Sequence, residues 1–409
     1  MILNNKIYAL DLGTTKFCLA TLAKDTTTDT PNAQFITVPA SGMRRGMLVN
    51  FQQAQQSLNI LIEAAEIKLK KEITRTVVGI AGIHLTSDIV KTSYTSSEFA
   101  TVNQSIIKKL ENLAERKSTL SNKEILHIIP IRYRIDDRDP IKNPIGFSFN
   151  SIEVEYFVIH ADKLYLSDVV KLCNSCGLEV TRLYAEPYAS ASVILKEQAK
   201  EAGVAIADIG GGTTDGIIFV DGAPRKIFTV NVGGKLITND LSIGLGVPIC
   251  EAEKIKTTTG TDIEEKQEIC TKDIYNNAKN INYEAIYNIL NPRIHELTNL
   301  IQTEIQKEKI FLSGGLVLTG GGSETINLVE HMKNILPYSV QKIRPSLPNK
   351  LCQSLDLKNS SALFSTQLAT VLGLLYLENI YQAKKRIPSK TSLIHKYFKE
   401  LAVWLKELS

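Results

Sequence analysis

The stretch that decides the fold reads Val204-Ala-Ile-Ala-Asp208-Ile-Gly210-Gly211-Gly212-Thr213-Thr214-Asp215-Gly216. An apolar run leads to an aspartate, glycines and threonines follow, and a second apolar run ends at Val220. This order predicts a strand, a tight turn and a second strand. Because glycine has no Cβ, the turn can press backbone N–H groups against an anion, above all a phosphate. A carboxylate at the end of the first strand suits a divalent cation that accompanies the phosphate.

The same pattern occurs at the start of the chain, in Ile7-Tyr-Ala-Leu-Asp11-Leu-Gly13-Thr14-Thr15-Lys16. Two such hairpins that face each other would hold a nucleotide triphosphate from both sides. A third glycine cluster, in Leu316-Val-Leu-Thr319-Gly320-Gly321-Gly322-Ser323, would let the backbone approach a purine and its sugar. The chain has neither G-x-x-x-x-G-K-[ST] nor G-x-G-x-x-G, so a P-loop or Rossmann site is not predicted.

These three elements, in this order, resemble those of the actin-like ATPase superfamily, which includes sugar kinases and the seventy-kilodalton heat-shock chaperones. The resemblance implies an α/β, actin-like (ribonuclease H-like) fold of two lobes, with ATP and Mg²⁺ between them.

Within that superfamily the chain resembles the bacterial cell-division family FtsA over roughly residues 6–260 and 310–381. The stretches that carry this resemblance are Asp11-Leu-Gly-Thr-Thr-Lys16, Gly79-Ile-Ala-Gly82, His127-Ile-Ile-Pro130, Ile141-Lys-Asn-Pro-Ile-Gly146, Glu186-Pro-Tyr-Ala-Ser190, Gly233-Gly-Lys-Leu-Ile-Thr-Asn-Asp240, Ala252-Glu253 with Lys256, and Leu318-Thr-Gly-Gly-Gly322. The linker before the C-terminal segment is short for this family.

The resemblance assigns roles to individual residues. The phosphates are expected at Gly13, Thr14, Thr15, Lys16, Gly210, Gly211, Gly212, Thr213 and Thr214. Asp11 and Asp208 would face the metal through water, and Glu186 and Asp215 would position the attacking water as catalytic residues. The nucleoside is expected near Gly233, Gly234, Glu253, Lys256, Gly320, Gly321 and Gly322. These parts suffice to bind ATP and to cleave it slowly at most. Glu186 could equally be an acidic residue that stabilises a helix N-terminus.

The composition sets wider limits. A chain of 409 residues predicts two or more domains. Lys and Arg number 47 against 43 Asp and Glu, so no nucleic-acid partner is indicated. The start of the chain is polar and unlike a secretory signal, and no apolar run approaches the ~20 residues that span a bilayer. The scattered cysteines fit a reducing compartment, and Cys173 and Cys176 are expected as thiols at a helix end rather than a zinc or redox pair.

The predicted domain organisation is a first lobe (1–83, 161–200 and 363–381), an inserted small α+β subdomain (84–160), a second lobe (201–362, with a small subdomain at about 232–305), a linker (382–392) and a C-terminal amphipathic helix (393–409). In the insert, a polar stretch (92–97) should lead to a helix around Ile106 to Leu113, and extended segments are expected at 125–135 and 152–160. His84 and His127 are expected to be hydrogen-bonded structural histidines. Residues 261–283 are polar and have no clear assignment.

Residues 393–408 predict a helix with a large apolar face. At 100° per residue, Ile394, Tyr397, Phe398, Leu401, Trp404, Leu405 and Leu408 fall within an arc of about 120°. Charged side chains occupy the other side, with Val403 the exception. Such a helix either lies in the plane of a membrane surface or docks on its own protein.

With the family resemblance, these features imply a protein that polymerises head to tail and tethers the ring of the tubulin-like FtsZ to the membrane. The expected location is the cytoplasmic face of the cell membrane at the division septum. Other division proteins could bind through 84–160. Two alternatives stay open: an actin-like scaffold of another machine, such as PilM of the type IV pilus, or an actin-superfamily ATPase or kinase. A chaperone would need a peptide-binding domain, for which residues after 381 leave no room, and a sugar kinase would need a catalytic base that the sequence does not offer.

Overall fold

The computed structural model describes residues 7–24, 31–258, 268–346 and 364–385, in which strands and helices alternate. The strands are β1 (Tyr8–Leu12), β2 (Lys16–Lys24), β3 (Pro31–Pro39), β4 (Met43–Arg44), β5 (Met47–Leu48), β6 (Arg75–Ile80), β7 (Thr86–Thr101), β8 (Lys123–Ile135), β9 (Ser148–Asp162), β10 (Glu179–Ala185), β11 (Val204–Ile209), β12 (Thr214–Val220), β13 (Ala223–Val230), β14 (Glu268–Lys272), β15 (Ala278–Asn282), β16 (Leu316–Thr319) and β17 (Val340–Lys342). The helices are α1 (Phe51–Leu69), α2 (Gln104–Ser118), α3 (Lys163–Ser175), α4 (Glu186–Ile194), α5 (Glu197–Ala202), α6 (Gly234–Leu245), α7 (Ile249–Thr258), α8 (Tyr283–Gln306), α9 (Leu328–Ile335) and α10 (Ala369–Lys385).

Two five-stranded sheets have the same topology. The first has the order β3-β2-β1-β6-β10 and the second β13-β12-β11-β16-β17. In each sheet the first three strands are antiparallel neighbours, and the last two run parallel to the central strand. The repeated hairpin pattern of the sequence is therefore the repeated half of an actin-like fold, as predicted.

Helices cover these sheets because their apolar faces match the buried strands. Helices α1 and α3 pack on each other, α1 also on β2 and β3, and α3 on β10. The last helix, α10, packs on α4 and on β1, β2 and β6. One apolar core joins the first sheet to the side of the second that faces it, since Ile206, Ile217 and Val317 belong to the same buried cluster as Leu10 and Leu19.

The inserted subdomain is a three-stranded antiparallel sheet, β7-β9-β8, with α2 packed on it around its own apolar core. The polar stretch 92–97 lies within β7, a strand that the sequence did not predict. Residues 92–95 pair with β9, and the threonines and Tyr94 in this stretch are residue types that favour strands. The helix expected around Ile106 to Leu113 is confirmed but longer. The insert also contacts the second lobe, where the Ile227 N–H donates to Ser87 Oγ at 3.1 Å.

The segment left unassigned at 261–283 contains the hairpin β14–β15 in its described part. This hairpin leads into α8, whose first turn is capped by Asn282 Oδ1 accepting from the Ala285 N–H at 2.9 Å. With α6 and α7, these elements form the outer part of the second lobe.

Cys173 and Cys176 lie at the C-terminal end of a helix, as predicted, and Cys176 is only partly buried. Helix α3 ends at Ser175, Cys173 is buried as a free thiol, and Gly177 continues the chain at φ +79°. Within the described residues no helix is both long and apolar enough to cross a membrane. The predicted amphipathic helix at 393–408 lies outside the described residues.

Candidate functional site

Four acidic side chains meet where the two sheets face each other. Asp11 lies near the end of β1, and Glu186 is the first residue of α4. Asp208 and Asp215 are directly opposite each other in the β11–β12 ladder. Burial raises the pKa of Asp11 to about 6, with Lys16 lowering it and Asp208 raising it further. Burial, and then Asp11, Asp215 and Asp208, raise the pKa of Glu186 well above its usual value. The predicted metal and water-positioning residues therefore form one electrostatically coupled cluster.

Hydroxyl groups fix the two carboxylates of the second hairpin. Asp208 Oδ2 accepts hydrogen bonds from Ser190 Oγ at 2.7 Å and from Thr370 Oγ1 at 3.0 Å. Burial raises the pKa of Asp208, and these two bonds oppose that shift because they favour the ionised form. This role of Ser190 and Thr370 was not predicted, since neither residue belongs to a phosphate or metal pattern.

Asp215 is held from three directions. Its oxygens accept from Thr213 Oγ1 at 2.7 Å, from Thr229 Oγ1 at 2.6 Å and from the buried Gly82 N–H at 2.9 Å. Burial raises its pKa and all three donors lower it. Because Gly82 lies just before the inserted subdomain, the backbone that leads into the insert is bonded directly to a predicted catalytic carboxylate.

The donor chemistry fits a divalent cation. Several buried carboxylates repel one another, and Lys16 is the lysine that offsets both Asp11 and Asp208. Hard oxygen ligands of this kind suit Mg²⁺. In the described part of the chain no three His, Cys, Asp or Glu groups are arranged to ligate a metal directly. This donor set fits a cation held through water and phosphate oxygens, as the sequence predicts.

The two glycine hairpins approach each other closely. A Cβ at Gly212 would lie 2.6 Å from Thr14 Oγ1, and one at Gly211 would lie 2.8 Å from Thr15 Oγ1, so only glycine fits at these positions. The hydroxyl groups of the second hairpin are engaged elsewhere, with Thr214 Oγ1 donating to Val232 O at 2.7 Å. Backbone N–H groups are therefore the phosphate donors that this hairpin can offer.

The turn between β4 and β5 is a further neighbour of the first hairpin, and no role was predicted for it. The Gly46 N–H donates to Thr14 Oγ1 at 3.1 Å. Arg45 adopts φ +51°, and a Cβ at Gly212 would lie 2.9 Å from its Cα. The available signal was the Arg45-Gly46 pair, since a two-residue hairpin turn of this kind needs positive φ at both positions.

Lys16 does not point into an open phosphate site. Its Nζ donates to the backbone oxygen of Gln367 at 2.9 Å and to Gln367 Oε1 at 3.2 Å. Gln367 lies just before α10, and no sequence pattern singled it out.

The residues predicted near the nucleoside form a second group beside the carboxylates. Buried Lys256 donates to Glu253 Oε2 at 2.6 Å and to Thr238 Oγ1 at 2.9 Å. The Gly234 N–H donates to Gly210 O at 2.8 Å, which joins the start of α6 to the second hairpin.

The late glycine cluster, residues 320–322, lies beside this second group. Gly320 has φ +83°, and a Cβ there would overlap Asp208 Oδ1. The Ile326 N–H donates to Lys256 O at 3.0 Å, which links the segment after the cluster to α7. Three elements far apart in the sequence thus meet at this group. Glu253 is its most exposed member, with 52% of its side chain accessible.

The two histidines differ. His127 Nε2 accepts from the Ala185 N–H at 3.0 Å, and burial, with Arg182, lowers its pKa to about 3, so the structural role is confirmed. His84 stacks on Tyr165 with ring centroids 3.8 Å apart. Its Nε2 is buried without a hydrogen-bond partner among the described residues, whereas its ring is hydrogen-bonded to the backbone of Gly46, so the expectation of a satisfied histidine is met in part.

Comparison with known proteins agrees with this architecture. The family model described as cell division protein FtsA matches residues 205–373, and the model of the SHS2 domain inserted in FtsA matches residues 82–160. The FtsA of Pseudomonas aeruginosa is 29% identical over 363 residues, which is 84% of this chain and 86% of that protein. The FtsA of Neisseria meningitidis is 29% identical over 90% of this chain and 89% of its own length.

Solved structures share the fold at low sequence identity. A chain of the PilM-PilN type IV pilus biogenesis complex has a TM-score of 0.60 at 16% identity, over 91% of this chain and 98% of that one. MreB5 of Spiroplasma citri bound to ADP has a TM-score of 0.53 at 14% identity, over 94% of this chain and 99% of that one. Two FtsA family models that together match more than half of the sequence, and FtsA relatives over most of its length, show that the chain belongs to the actin-like FtsA family of cell-division proteins.

Proposed function

We propose that this chain binds Mg²⁺-ATP between its lobes, assembles head to tail, and tethers the FtsZ ring to the cytoplasmic face of the membrane at the division septum. The observation that carries the nucleotide part is the cluster of Asp11, Glu186, Asp208 and Asp215 beside two facing glycine hairpins. Buried like charges at such a site favour a cation and its phosphates over an empty cleft. MreB5, which shares the fold, has been solved with ADP.

Each group of residues at this site has a proposed role that follows from its chemistry. The hairpin N–H groups and Lys16 would bind phosphate oxygens, and Asp11 and Asp208 would hold the water shell of Mg²⁺. The bound cation supplies charge neutralisation for the phosphates. Glu186 and Asp215 would orient a water molecule, with Asp215 fixed for this by its three donors. Any ATP hydrolysis is expected to be slow, because positioning is all that these groups provide.

Assembly and anchoring are supported by the family and by the sequence. Head-to-tail contacts that do not close generate filaments, and the insert at 84–160 is the surface proposed for one such contact and for other division proteins. The segment 393–408 is proposed as the membrane anchor. A single interfacial helix binds weakly, whereas a filament that carries many binds firmly through avidity.

Co-sedimentation with liposomes of phosphatidylglycerol and phosphatidylcholine tests the tether. Wild-type protein should sediment with these liposomes more completely with Mg²⁺-ATP than without it. Trp404→Glu adds a charge to the predicted apolar face and should abolish sedimentation. Val403→Glu adds the same charge to the polar face and is the matched control, which should sediment like the wild type.

Fluorescence supplies a second measurement, because Trp404 is the single tryptophan of the chain. Its emission should shift to shorter wavelength with lipid in the wild type and in Val403→Glu. Equal sedimentation of both glutamate variants, with no lipid-induced shift in the Trp404 emission of the wild type, would contradict the proposed membrane tether.

PilM remains the alternative from another machine, because a chain of its complex shares the fold. The family matches favour the cell-division role. Binding of FtsZ filaments to lipid only in the presence of this protein would separate the two.

A further inference from the structure

Gln367 occupies a position that none of the predicted roles covers. It is an exposed residue of the short helical turn Thr366–Leu368, immediately before α10. Its backbone oxygen and its Oε1 both accept hydrogen bonds from Lys16 Nζ, at 2.9 Å and 3.2 Å. The lysine predicted to bind phosphate is therefore held by two neutral oxygens of one residue.

The side chain of Gln367 also reaches the other lobe. Its Cγ is 3.3 Å from the point where a Cβ on Gly321 would lie. Gln367 thus lies between Lys16 of the first phosphate hairpin and Gly321 of the cluster predicted near the nucleoside. A nucleotide that used both of these elements would pass beside it.

The residues around Gln367 extend this connection. Thr366 Oγ1 donates to Glu324 Oε1 at 2.9 Å, and Thr370 Oγ1 donates to Asp208 Oδ2 at 3.0 Å. The head of α10, which we define as residues 365–370, therefore contacts the glycine cluster segment, the predicted metal carboxylate and the phosphate lysine. Helix α10 then packs on α4 and the first sheet and continues to Lys385.

Phosphate and Gln367 compete for the same ammonium group. A phosphate oxygen carries a negative charge that attracts the Lys16 ammonium, whereas the two oxygens of Gln367 are uncharged. A polyphosphate that arrives at the first hairpin should therefore take Lys16 from Gln367.

We propose that Gln367 is a gate residue of the nucleotide site: it holds Lys16 while phosphate is absent and releases it when phosphate binds. The inference rests on the proposed nucleotide function and adds a regulatory step to it. When Lys16 leaves Gln367, the head of α10 loses these hydrogen bonds. Binding of a nucleotide would in this way change the contacts of α10, the last helix among the described residues. The chain continues from that helix to the segment proposed as the anchor.

Calorimetry with Mg²⁺-ATP on full-length variants tests the gate in both directions. Gln367→Ala removes one competing acceptor and should tighten binding by roughly threefold to tenfold, the usual worth of such a bond. Gln367→Glu replaces it with a charged competitor and should weaken binding by more than that. Gln52→Ala and Gln52→Glu, at an exposed position on α1, are the matched controls and should bind like the wild type.

Hydrogen exchange supplies the readout that a merely structural Gln367 would not move. The amides of residues 365–370 should exchange faster when Mg²⁺-ATP is added to the wild type. They should already exchange faster in Lys16→Met without nucleotide, because the bonds to Gln367 are absent.

The outcomes distinguish a failure of the proposed gate from a failure of the proposed nucleotide binding. If the wild type binds Mg²⁺-ATP but Gln367→Ala binds no tighter than Gln52→Ala, the gate is wrong and the nucleotide function stands. Unchanged exchange at 365–370 on adding nucleotide overturns the gate in the same way. If the wild type and both Gln52 controls bind no Mg²⁺-ATP, the nucleotide function fails and the gate fails with it.

Discussion

The two glycine hairpins have the same sequence pattern and equivalent places in sheets of the same topology, but they carry different charges. In the first hairpin, Asp11 is opposite Cys18 across the ladder and is accompanied by Lys16. In the second, Asp208 is opposite Asp215, and both carboxylates accept hydrogen bonds from hydroxyl groups. The comparison teaches that a repeated backbone can carry unlike side chains. Both hairpins offer an aspartate to the proposed cation, but the lysine belongs to the first hairpin and the pair of hydroxyl-bonded carboxylates to the second.

The largest expected effect is the loss of Mg²⁺-ATP affinity when the charge of Asp208, which is predicted to face the metal, is removed. Asp208→Asn keeps the shape of the side chain but removes its charge, so Mg²⁺-ATP affinity should fall about a hundredfold, as for a lost charge-assisted interaction. Affinity for ATP without Mg²⁺ should not fall, because a negative charge is gone. Calorimetry with and without Mg²⁺ measures both.

The control for this change is Asp221→Asn, in the exposed turn after β12, where φ is +53° and asparagine is well tolerated. It should bind Mg²⁺-ATP like the wild type. Unchanged Mg²⁺-ATP affinity in Asp208→Asn would show that the second hairpin does not face the metal.

A smaller effect is expected from the cation of the first hairpin. Lys16→Met should weaken ATP binding about tenfold while changing AMP binding much less, because Lys16 is predicted to face the outer phosphates. Lys171→Met, at an exposed position on α3, is the control. An equal loss for ATP and AMP would contradict the assignment of Lys16 to phosphate and would mean that it supports the cleft in another way.

The smallest effect concerns stability without nucleotide. The pKa of Asp11 is raised to about 6 in the folded protein, so ionising it costs stability as pH rises through that value. Asp11→Asn should therefore raise the free energy of unfolding by about 1–3 kcal/mol at pH 7.5 and by less at pH 5. Urea denaturation at the two pH values measures the difference.

Asp208→Asn is the comparison for this last prediction. It should stabilise the protein less than Asp11→Asn does, because Ser190 and Thr370 already favour the charged form of Asp208. No hydroxyl group donates to Asp11 in the described part of the chain. A larger gain in the free energy of unfolding for Asp208→Asn than for Asp11→Asn would contradict this difference between the two hairpins.

Local patterns in the sequence were enough to predict much of the site. The run from Val204 to Gly216 predicted a hairpin because apolar strands, glycines and turn residues follow one another within a few positions. Its repetition at Asp11 predicted the second half of the cleft. The glycines at 210–212 and 320–322 could be identified because consecutive glycines after an apolar run are visible in the sequence itself.

The remaining features depend on contacts between distant parts of the chain. Lys16 and Gln367 are 351 positions apart, and Thr370 and Asp208 are 162 apart, so no local pattern marks either pair. The polar residues 92–95 of β7 pair with β9, which lies far along the chain. Both cases have the same cause, since the partner that fixes each residue is supplied by folding.

The sequence by itself determined the actin-like repeat, the inserted subdomain and the residue types of the cleft, because periodicity and glycine placement are local properties. Only the tertiary structure decided how those residues are used: that Thr213 and Gly82 hold Asp215, that Thr14 meets Gly46, and that Lys16 is held by Gln367. Hydrogen bonds and buried charges depend on distances in space. Those distances exist only after the two lobes, the insert and the last helix have packed together.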